Sequence, residues 1–515
     1  MKILSPAMIR QLEKETMVRQ GISSLALMER AARAVLGELQ QLAGECCHQF
    51  VVLCGFGNNG GDGLALARLL HLSGHDVKPY LLVNGRYSDE NLVQQESLRR
   101  LNITIEPLEM TTALTLPPGA FIIDALFGHG LSRPLESAWK GIIQQLDVSP
   151  NPVFAIDVPS GLLADAPLPA DAPIVRATYT YTFACPKLTL TFPDYAPYTG
   201  RFSVLDIGLD KDIHATLSSD LFYMDKQDIA KLVKPLTKFS HKGTFGHVWV
   251  SGGRLGSIGA VVLASKAALK TGCGLVTAYI PSCGYQIMQT AFPEALTAVD
   301  PSSDIISTFP NDLGRYSAFC VGMGMGTDPQ TREAFFQLLH TFHSAGGHGR
   351  LVLDADALNI LSLHPEWHDL LPPESILTPH PKELQRLIGS WSNDFDKLEK
   401  VRSWCRHRRQ IIVIKGANTT IVMPDGTVHI NSTGNTGMAT AGSGDVLSGI
   451  LASLLAQGYE PKTAALIGVY LHGLSGDCAV GTVHEKSLVA SDIIDHISVA
   501  WHHLIPGDHL RKNRI

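Results

Sequence analysis

The sequence is poor in the features that mark several broad classes of protein. Its nine cysteines in 515 residues are scattered and odd in number, with Cys46 and Cys47 adjacent and no C-x-x-C. That argues against a disulfide framework or a zinc site and fits reduced cytosolic thiols. No stretch of about 18 apolar residues occurs, so no membrane-spanning helix is expected. The opening stretch MKILSPAMIRQLEKETMVRQG mixes charges into its apolar residues and lacks the continuous apolar segment of a signal peptide. There is no excess of positive charge: the net charge is −6 and the pI about 6.4. A nucleic-acid partner would call for a basic face. The expected location is therefore the cytoplasm, with no membrane or nucleic-acid partner.

What is present is apolar. Hydrophobic residues make up 45% and charged residues 17%, which excludes a disordered chain and supplies large cores. The length suggests about two to four domains. Short apolar runs such as FVVLCG, KPYLLVNG, AFIIDALFG, PVFAIDVPSG and ATYTYTFACPK end in Gly, Asp or Pro and are followed by helical patterns. Runs apolar on both faces suit central strands of parallel sheets covered by helices. The series fades near RFSVLDIGLD, and a polar stretch from about Lys211 to Lys242 reads as a connector. A second series begins at HVWVSGG and continues through GLVTAYIP, AFCVGMGMG, LVLDADAL, SILTPHPKEL and IIVIKGANTTIVM. The boundary is placed near Ser218, giving α/β domains over 1–218 and 219–515. The halves share a pattern but no repeated motif. The tail HHLIPGDHLRKNRI is basic and reads as a solvated end.

The stretch VVLCGFGNNGGDGLALARLL (Val51–Leu70) reads as strand, glycine-rich turn and helix. Glycines let backbone N–H groups approach an anion, and the helix presents its positive end. A dinucleotide fingerprint would also want an acid at the end of the next strand, to hold a ribose. VKPYLLVNGR ends instead in Asn84 and Arg86. The loop thus suits phosphates, in a pose unlike that of an ordinary dehydrogenase. Asp124 and Asp157 each end an apolar strand, with Ser160 after the second. Either aspartate could instead cap a helix. The loop Gly128–Pro134, with Arg133, offers an anion clamp.

GNNGGDG, DALFGHGL and DVPSG, in that order, resemble the NAD(P)H-hydrate epimerase domain. The resemblance implies a Rossmann-like three-layer αβα domain. Its substrates, NADHX and NADPHX, are reduced dinucleotides to which water has added, leaving a hydroxyl at C6 of the nicotinamide ring. The family interconverts the R and S forms. Carried over, Asn58, Asn59, Gly60, Gly61 and Asp62 would line the substrate, together with Gly128, His129, Gly130, Leu131, Ser132, Arg133 and Pro134. Asp157 would sit at the reacting ring as a catalytic residue. Asn59, Asp124 and Ser160 would help hold potassium, a hard cation that oxygen ligands suit.

The segment NSTGNTGMATAGSGDVLSGILASLLAQG brings Gly442, Ser443, Gly444 and Asp445 to the start of an apolar helix. Backbone N–H groups of Ala441–Gly444 could cup a phosphoryl group. Asp445 stands where it could take a proton from a hydroxyl, or merely cap the helix. Lys415 and the turn at Gly416, Ala417 and Asn418, followed by Thr419, suit nucleotide phosphates. No G-x-x-x-x-G-K-[ST] exists, so this is not a P-loop enzyme.

G-x-G-D at a helix start is similar to the ribokinase-like superfamily. KGTFGHVWVSGG, VLDADALN, LTPHPKEL, IKGANTTI and GNTGMATAGSGDVLSGIL resemble, more narrowly, the NAD(P)H-hydrate dehydratase domain. That resemblance implies a second three-layer αβα domain, ribokinase-like. There ADP, with Mg2+, would phosphorylate the S hydrate, and phosphate would leave to restore NADH or NADPH. Asp445 would be the catalytic base. Ala260, Gly324 and His380 would touch the substrate, although His380, between two prolines, could be a rigid turn residue. Lys415–Thr419 and Gly442–Gly444 would bind nucleotide. A homo-oligomer is expected. Two competing readings are a vitamin or sugar kinase with a nucleotide-binding appendage, and an interaction scaffold in the first half.

Overall fold

Each apolar run that ends in glycine or aspartate becomes a strand, and the strands gather into two sheets. The computed structural model describes residues 1–44, 48–344 and 350–505. Cys46, Cys47 and the basic tail from Pro506 onward lie outside the described residues. The chain divides into two compact units, one of Lys2–Ser219 with Asn393–Phe395, the other of Met1, Asp220–Ser392 and the residues from Asp396 on.

The first sheet has seven strands: β1 (Gln49–Cys54), β2 (Asp76–Leu82), β3 (Glu106–Leu108), β4 (Phe121–Ala125), β5 (Val153–Ile156), β6 (Tyr179–Phe183) and β7 (Arg201–Leu205). The order is β3-β2-β1-β4-β5-β6-β7, and every pairing is parallel. Alternation along β1 fills both faces. Phe50, Val52 and Cys54 pack with the helices Ser24–Ala43 and Asn58–Leu72, whereas Val51 and Leu53 pack with Ile142, Ile143 and Leu146 of the helix Lys140–Asp147. Helices on both faces explain why the strands are apolar throughout. Strand order reverses between β1 and β4, which opens a crevice at their C-terminal ends.

The second sheet has ten strands: β8 (Leu221–Tyr223), β9 (His247–Ser251), β10 (Leu275–Pro281), β11 (Leu296–Asp300), β12 (Ala318–Val321), β13 (Leu351–Leu353), β14 (Ile376–Leu377), β15 (Ile411–Ile414), β16 (Thr420–Val422) and β17 (Val428–Ile430). Their order is β11-β10-β9-β12-β13-β14-β15-β16-β17-β8. The expected parallel pattern holds as far as β15. The turn after Lys415 then folds the chain back, so β15–β16 and β16–β17 are antiparallel. Val248 and Val250 pack with the helices Ile258–Thr271, Ser443–Ala456, Pro461–Ala479 and Ala490–Leu504.

Residues 211–242 are more than the connector read from their polarity. They form a helix Lys211–Thr216, the edge strand β8 and a helix Lys226–Leu232. β8 is three half-buried residues long, too short for an apolar run to announce it. All seven described cysteines are free, and Cys54, Cys185, Cys273, Cys320 and Cys405 are buried.

Candidate active sites

In the first unit the crevice at the strand-order reversal is a cavity of about 510 Å³. Its lining includes Asn58, Asn59, Asp62, Gly128, His129, Gly130, Leu131, Ser132, Arg133 and Asp157, all singled out in the sequence, and Leu126 and Phe127 between the β4 end and Gly128. Gly60, Gly61 and Pro134 do not line it. Gly60 answers to packing: a Cβ there would sit 2.0 Å from the Gly55 carbonyl oxygen. The helix Asn58–Leu72 can start so close to β1 only without that atom. Gly61 is buried against Met28.

Neither strand-end aspartate caps a helix. Asp157 has φ +71°, which turns its side chain out of the β5 line, and both carboxylate oxygens are engaged. Oδ1 pairs with the Lys187 ammonium and accepts from Thr182 Oγ1 at 3.4 Å. Oδ2 accepts from the His129 backbone N–H at 2.7 Å and lies 2.7 Å from His129 Nδ1. Burial opposes ionisation of Asp157, but Lys187 and His129 outweigh it and hold the carboxyl well below the usual carboxylate range. Lys187, 1% exposed, also donates to Thr182 Oγ1 at 2.7 Å and to the Phe183 carbonyl at 3.0 Å. Gly128 backs onto this group: a Cβ there would lie 2.8 Å from Asp157 Oδ2 and 3.2 Å from Asn59 Oδ1.

Asp124 is fully buried. It accepts from Ser160 N–H at 2.7 Å, Ser160 Oγ at 2.6 Å and Leu126 N–H at 3.3 Å. Among the described residues it forms no ion pair, and burial raises its pKa to about 6 against those hydrogen bonds. Asn59 Nδ2 is buried without a partner. A buried carboxylate with no protein counter-charge, bonded to the Ser160 hydroxyl, fits a hard monovalent cation. Lys187, Glu13 and Arg10 also line the cavity, and sequence reasoning missed all three. The two from the N-terminal helix Pro6–Gln20 carry no motif. Lys187 follows directly on a strand run, where a lysine destined for burial looks like any loop lysine.

In the second unit the helix Ser443–Ala456 has Gly442 as its N-cap, with φ +87°. Asp445 is therefore the third residue of the helix and not its cap. Burial and the neighbouring Asp354 raise its pKa to about 7, against the pull of Lys415. Lys415, at the end of β15, bonds Asp354 Oδ1 at 2.7 Å and lies 3.9 Å from Glu383 Oε2. Burial alone would depress the lysine; the two carboxylates leave it raised. Asp354 also accepts from Ser448 Oγ at 2.8 Å, one turn along the helix. A Cβ on Gly444 would lie 3.3 Å from Lys415 Nζ, so the glycine backbone directly faces the cation. The Gly416–Thr419 turn is exposed or half-buried and closed by Thr419 Oγ1 donating to Gly416 O at 3.0 Å.

His380 caps the helix Pro381–Ile388: its Nδ1 accepts from Lys382 N–H at 3.1 Å and Glu383 N–H at 3.4 Å, while Glu383 accepts from His380 N–H. His380 thus has a turn role through Nδ1, on a side chain that stays 45% exposed. Gly324, with φ +61°, accepts from Ser257 Oγ at 2.7 Å, one turn before Ala260 in the helix Ile258–Thr271. Asp354 and Glu383 lay inside motifs read from the sequence without being singled out. An aspartate ending a strand was the available signal for the first. Among the described residues no three His, Cys, Asp or Glu side chains gather as a metal centre. Mg2+ commonly relies on one or two carboxylates with substrate phosphates, which Asp354, Glu383 and Asp445 leave room for.

Two family models match the chain: NAD(P)H-hydrate dehydratase over residues 248–498, and YjeF-related protein N-terminus over residues 24–189. The bifunctional NAD(P)H-hydrate repair enzyme Nnr of Moorella thermoacetica is 34% identical, covering 96% of each chain. That of Coxiella burnetii is 33% identical, covering 95% of this chain and 97% of its own. A crystal structure of an ADP/ATP-dependent NAD(P)H-hydrate dehydratase from Bacillus subtilis, co-crystallized with ATP/Mg2+, is 25% identical. It covers 56% of this chain and 100% of that one, with a TM-score of 0.48. With both halves matched in order and full-length relatives above 30% identity, the protein belongs to the family of bifunctional NAD(P)H-hydrate repair enzymes.

Proposed function

We propose that the chain repairs hydrated NADH and NADPH, the first domain (1–218) interconverting the R and S epimers and the second (219–515) dehydrating the S form at the expense of ADP. The observation that carries this is one chain holding both a glycine-loop cavity around Asp157 and a Gly442–Asp445 helix start beside Lys415, over the full length of bifunctional relatives.

In the first site Asn58–Asp62 and Gly128–Pro134 would receive the dinucleotide, with Asp157 as a permanently charged group at the ring. Gly60 and Gly61 could contribute only through the backbone. Potassium would sit among Asn59, Asp124 and Ser160 and supply the counter-charge that Asp124 lacks. In the second, Asp445 takes the proton of the C6 hydroxyl, whose oxygen attacks the terminal phosphorus of ADP and releases AMP. Backbone N–H groups of Gly442 and Gly444 and the Lys415 ammonium would hold the transferring charge. The phosphate then leaves with the C–O electron pair, the ring nitrogen supplies electrons, and loss of a C5 proton restores the double bond. Mg2+ would offset charge on the nucleotide phosphates. Ala260, Gly324 and His380 would face the hydrate, and Lys415–Thr419 the nucleotide. Among the described residues no helix is long and apolar enough to cross a membrane. Residence in the cytoplasm and self-association belong to the same proposal.

The test is to incubate the purified chain with mixed R and S hydrates, with and without ADP. The near-ultraviolet absorbance of the reduced dinucleotide and chiral chromatography report the outcome. Full recovery of both epimers with ADP, and interconversion alone without it, is expected. A stable phosphoester product would instead establish a small-molecule kinase.

A further inference from the structure

The first cavity holds three carboxylates, and they are not equivalent. Asp157 has four donor groups on its two oxygens, among them a buried ammonium. A carboxylate so saturated has no lone pair to offer and no tendency to take a proton. Glu13, the eighth residue of the helix Pro6–Gln20, and Asp62, the fifth of Asn58–Leu72, line the same cavity. Their half-buried side chains make no hydrogen bond or ion pair among the described residues. The other charged or titratable groups facing the cavity are Arg10, His129, Arg133, Asp157 and Lys187.

We propose that Glu13 and Asp62 are the proton-transfer pair of this cavity, and that Asp157 is a positioning residue locked in place by Lys187 and His129. The proposal rests on the epimerase reading above. The electrostatics divide the labour between the two. Burial raises both groups, but Glu13 is drawn back by His129, Lys187 and Arg10. Asp62 feels only carboxylates, Asp157 and Glu13, and is raised well above the carboxylate range. Asp62 therefore enters as the acid and Glu13 as the base.

The chemistry needs one of each. C6 carries a hydroxyl and the ring nitrogen, so it is a hemiaminal carbon. Glu13 takes the hydroxyl proton, the C6–oxygen double bond forms, and the C6–N1 bond breaks with its electron pair passing to N1. The carboxamide conjugated with N1 spreads that pair, and Asp62 supplies the proton. The free aldehyde rotates about the C5–C6 bond and presents its other face. N1 then adds back to C6, Asp62 recovers its proton from N1, and Glu13 returns one to the new oxyanion. Both residues end as they began, and no oxidant, reductant or added water is consumed.

The test uses the full chain with R hydrate in the absence of ADP. Glu13→Gln and Asp62→Asn should each lower kcat for interconversion about 10²–10⁴-fold with KM little changed. Circular dichroism of each variant verifies the fold. Wild-type kcat should fall on both sides of a maximum, with the basic limb above the ordinary carboxylate range. That profile decides the matter even if a variant fails to fold. A flat wild-type profile from about pH 5 to about pH 9, or folded Glu13 and Asp62 variants turning over at the wild-type rate while Asp157→Asn does not, would overturn the proposal. A wild-type chain that does not interconvert the epimers at all would refute the epimerase reading instead.

Discussion

Replacing Lys187 by methionine isolates the buried ion pair of the first unit. Methionine keeps the length and apolar stem of the side chain but removes the ammonium that bonds Asp157, Thr182 and Phe183. Asp157 is then a 4% exposed carboxylate with only His129 and Thr182 as partners. Removing one member of a buried pair costs about 3–5 kcal/mol, because the survivor stays desolvated and uncompensated. For a domain near 200 residues, each kcal/mol lowers Tm by about 2–4 °C, so a fall of about 6–20 °C is expected. The pH dependence has a definite sign. In the wild type the folded pKa of Asp157 is depressed, so its contribution persists at neutral pH and is lost only under strong acid. In the variant burial prevails, the folded pKa lies above the unfolded value, and protonation relieves the strain. The gap in Tm between variant and wild type should therefore narrow as pH falls from about 7 towards about 4. Adding Asp157→Asn to the variant should recover much of the loss, since the lone charge is gone. Thermal unfolding followed by circular dichroism gives all three readings. A variant that melts within about 2 °C of wild type at pH 7, or a double variant no more stable than the single one, refutes the reasoning.

Asp445→Asn should lower dehydration of the S hydrate about 10²–10⁴-fold while leaving epimerisation on the same preparation intact; equal dehydration rates would remove Asp445 as the base. In the wild type that rate should rise with pH through about 7, where Asp445 loses its proton. Asp354→Asn removes the carboxylate that raises Asp445, so the limb should move to lower pH; an unmoved limb counts against the coupling. Gly60→Ala should reduce the stability of the first domain, seen as a lower melting transition, because its Cβ meets the Gly55 backbone. Selective loss of substrate affinity at unchanged Tm would place the residue in binding instead. A crystal grown with rubidium in place of potassium should show anomalous signal among Asn59, Asp124 and Ser160, and an empty site at saturating salt would reject the cation. Residues 1–218 and 219–515, expressed separately, should each fold, with the second consuming only the S epimer; a second piece that consumes both would end the division of labour.

What could be read in advance was whatever backbone geometry imposes on composition. A helix that starts against a strand needs glycine, so the Gly55–Gly63 loop and Gly442–Gly444 stood out, and Asp157 and Asp445 were found beside them. What could not be read depended on where remote segments come to rest. Glu13 and Arg10 sit on an ordinary charged helix, and only the fold brings that helix over the cavity. Lys187 is buried because Asp157 waits for it across the sheet, a pairing 30 residues apart with no local signature. β8, β17 and the antiparallel return of β16 escaped for a different reason: strands of three residues are shorter than the periodicity that identifies them. His380 was read both as a ligand contact and as a turn residue, and its Nδ1 does cap a helix in the fold.

The buried cysteines have a bearing on durability. Burial pushes the thiol of Cys273 up to about 12, and those of Cys54, Cys405, Cys185 and Cys320 upward as well. The more accessible Cys283 and Cys478 are also raised, by burial and by Asp304 and Asp477 respectively. Peroxides and electrophiles attack the thiolate, so these side chains present almost none of the reactive form at cellular pH. Among the described residues, the seven thiols should therefore resist peroxide, read as an absence of oxygen adducts on them by mass spectrometry after exposure.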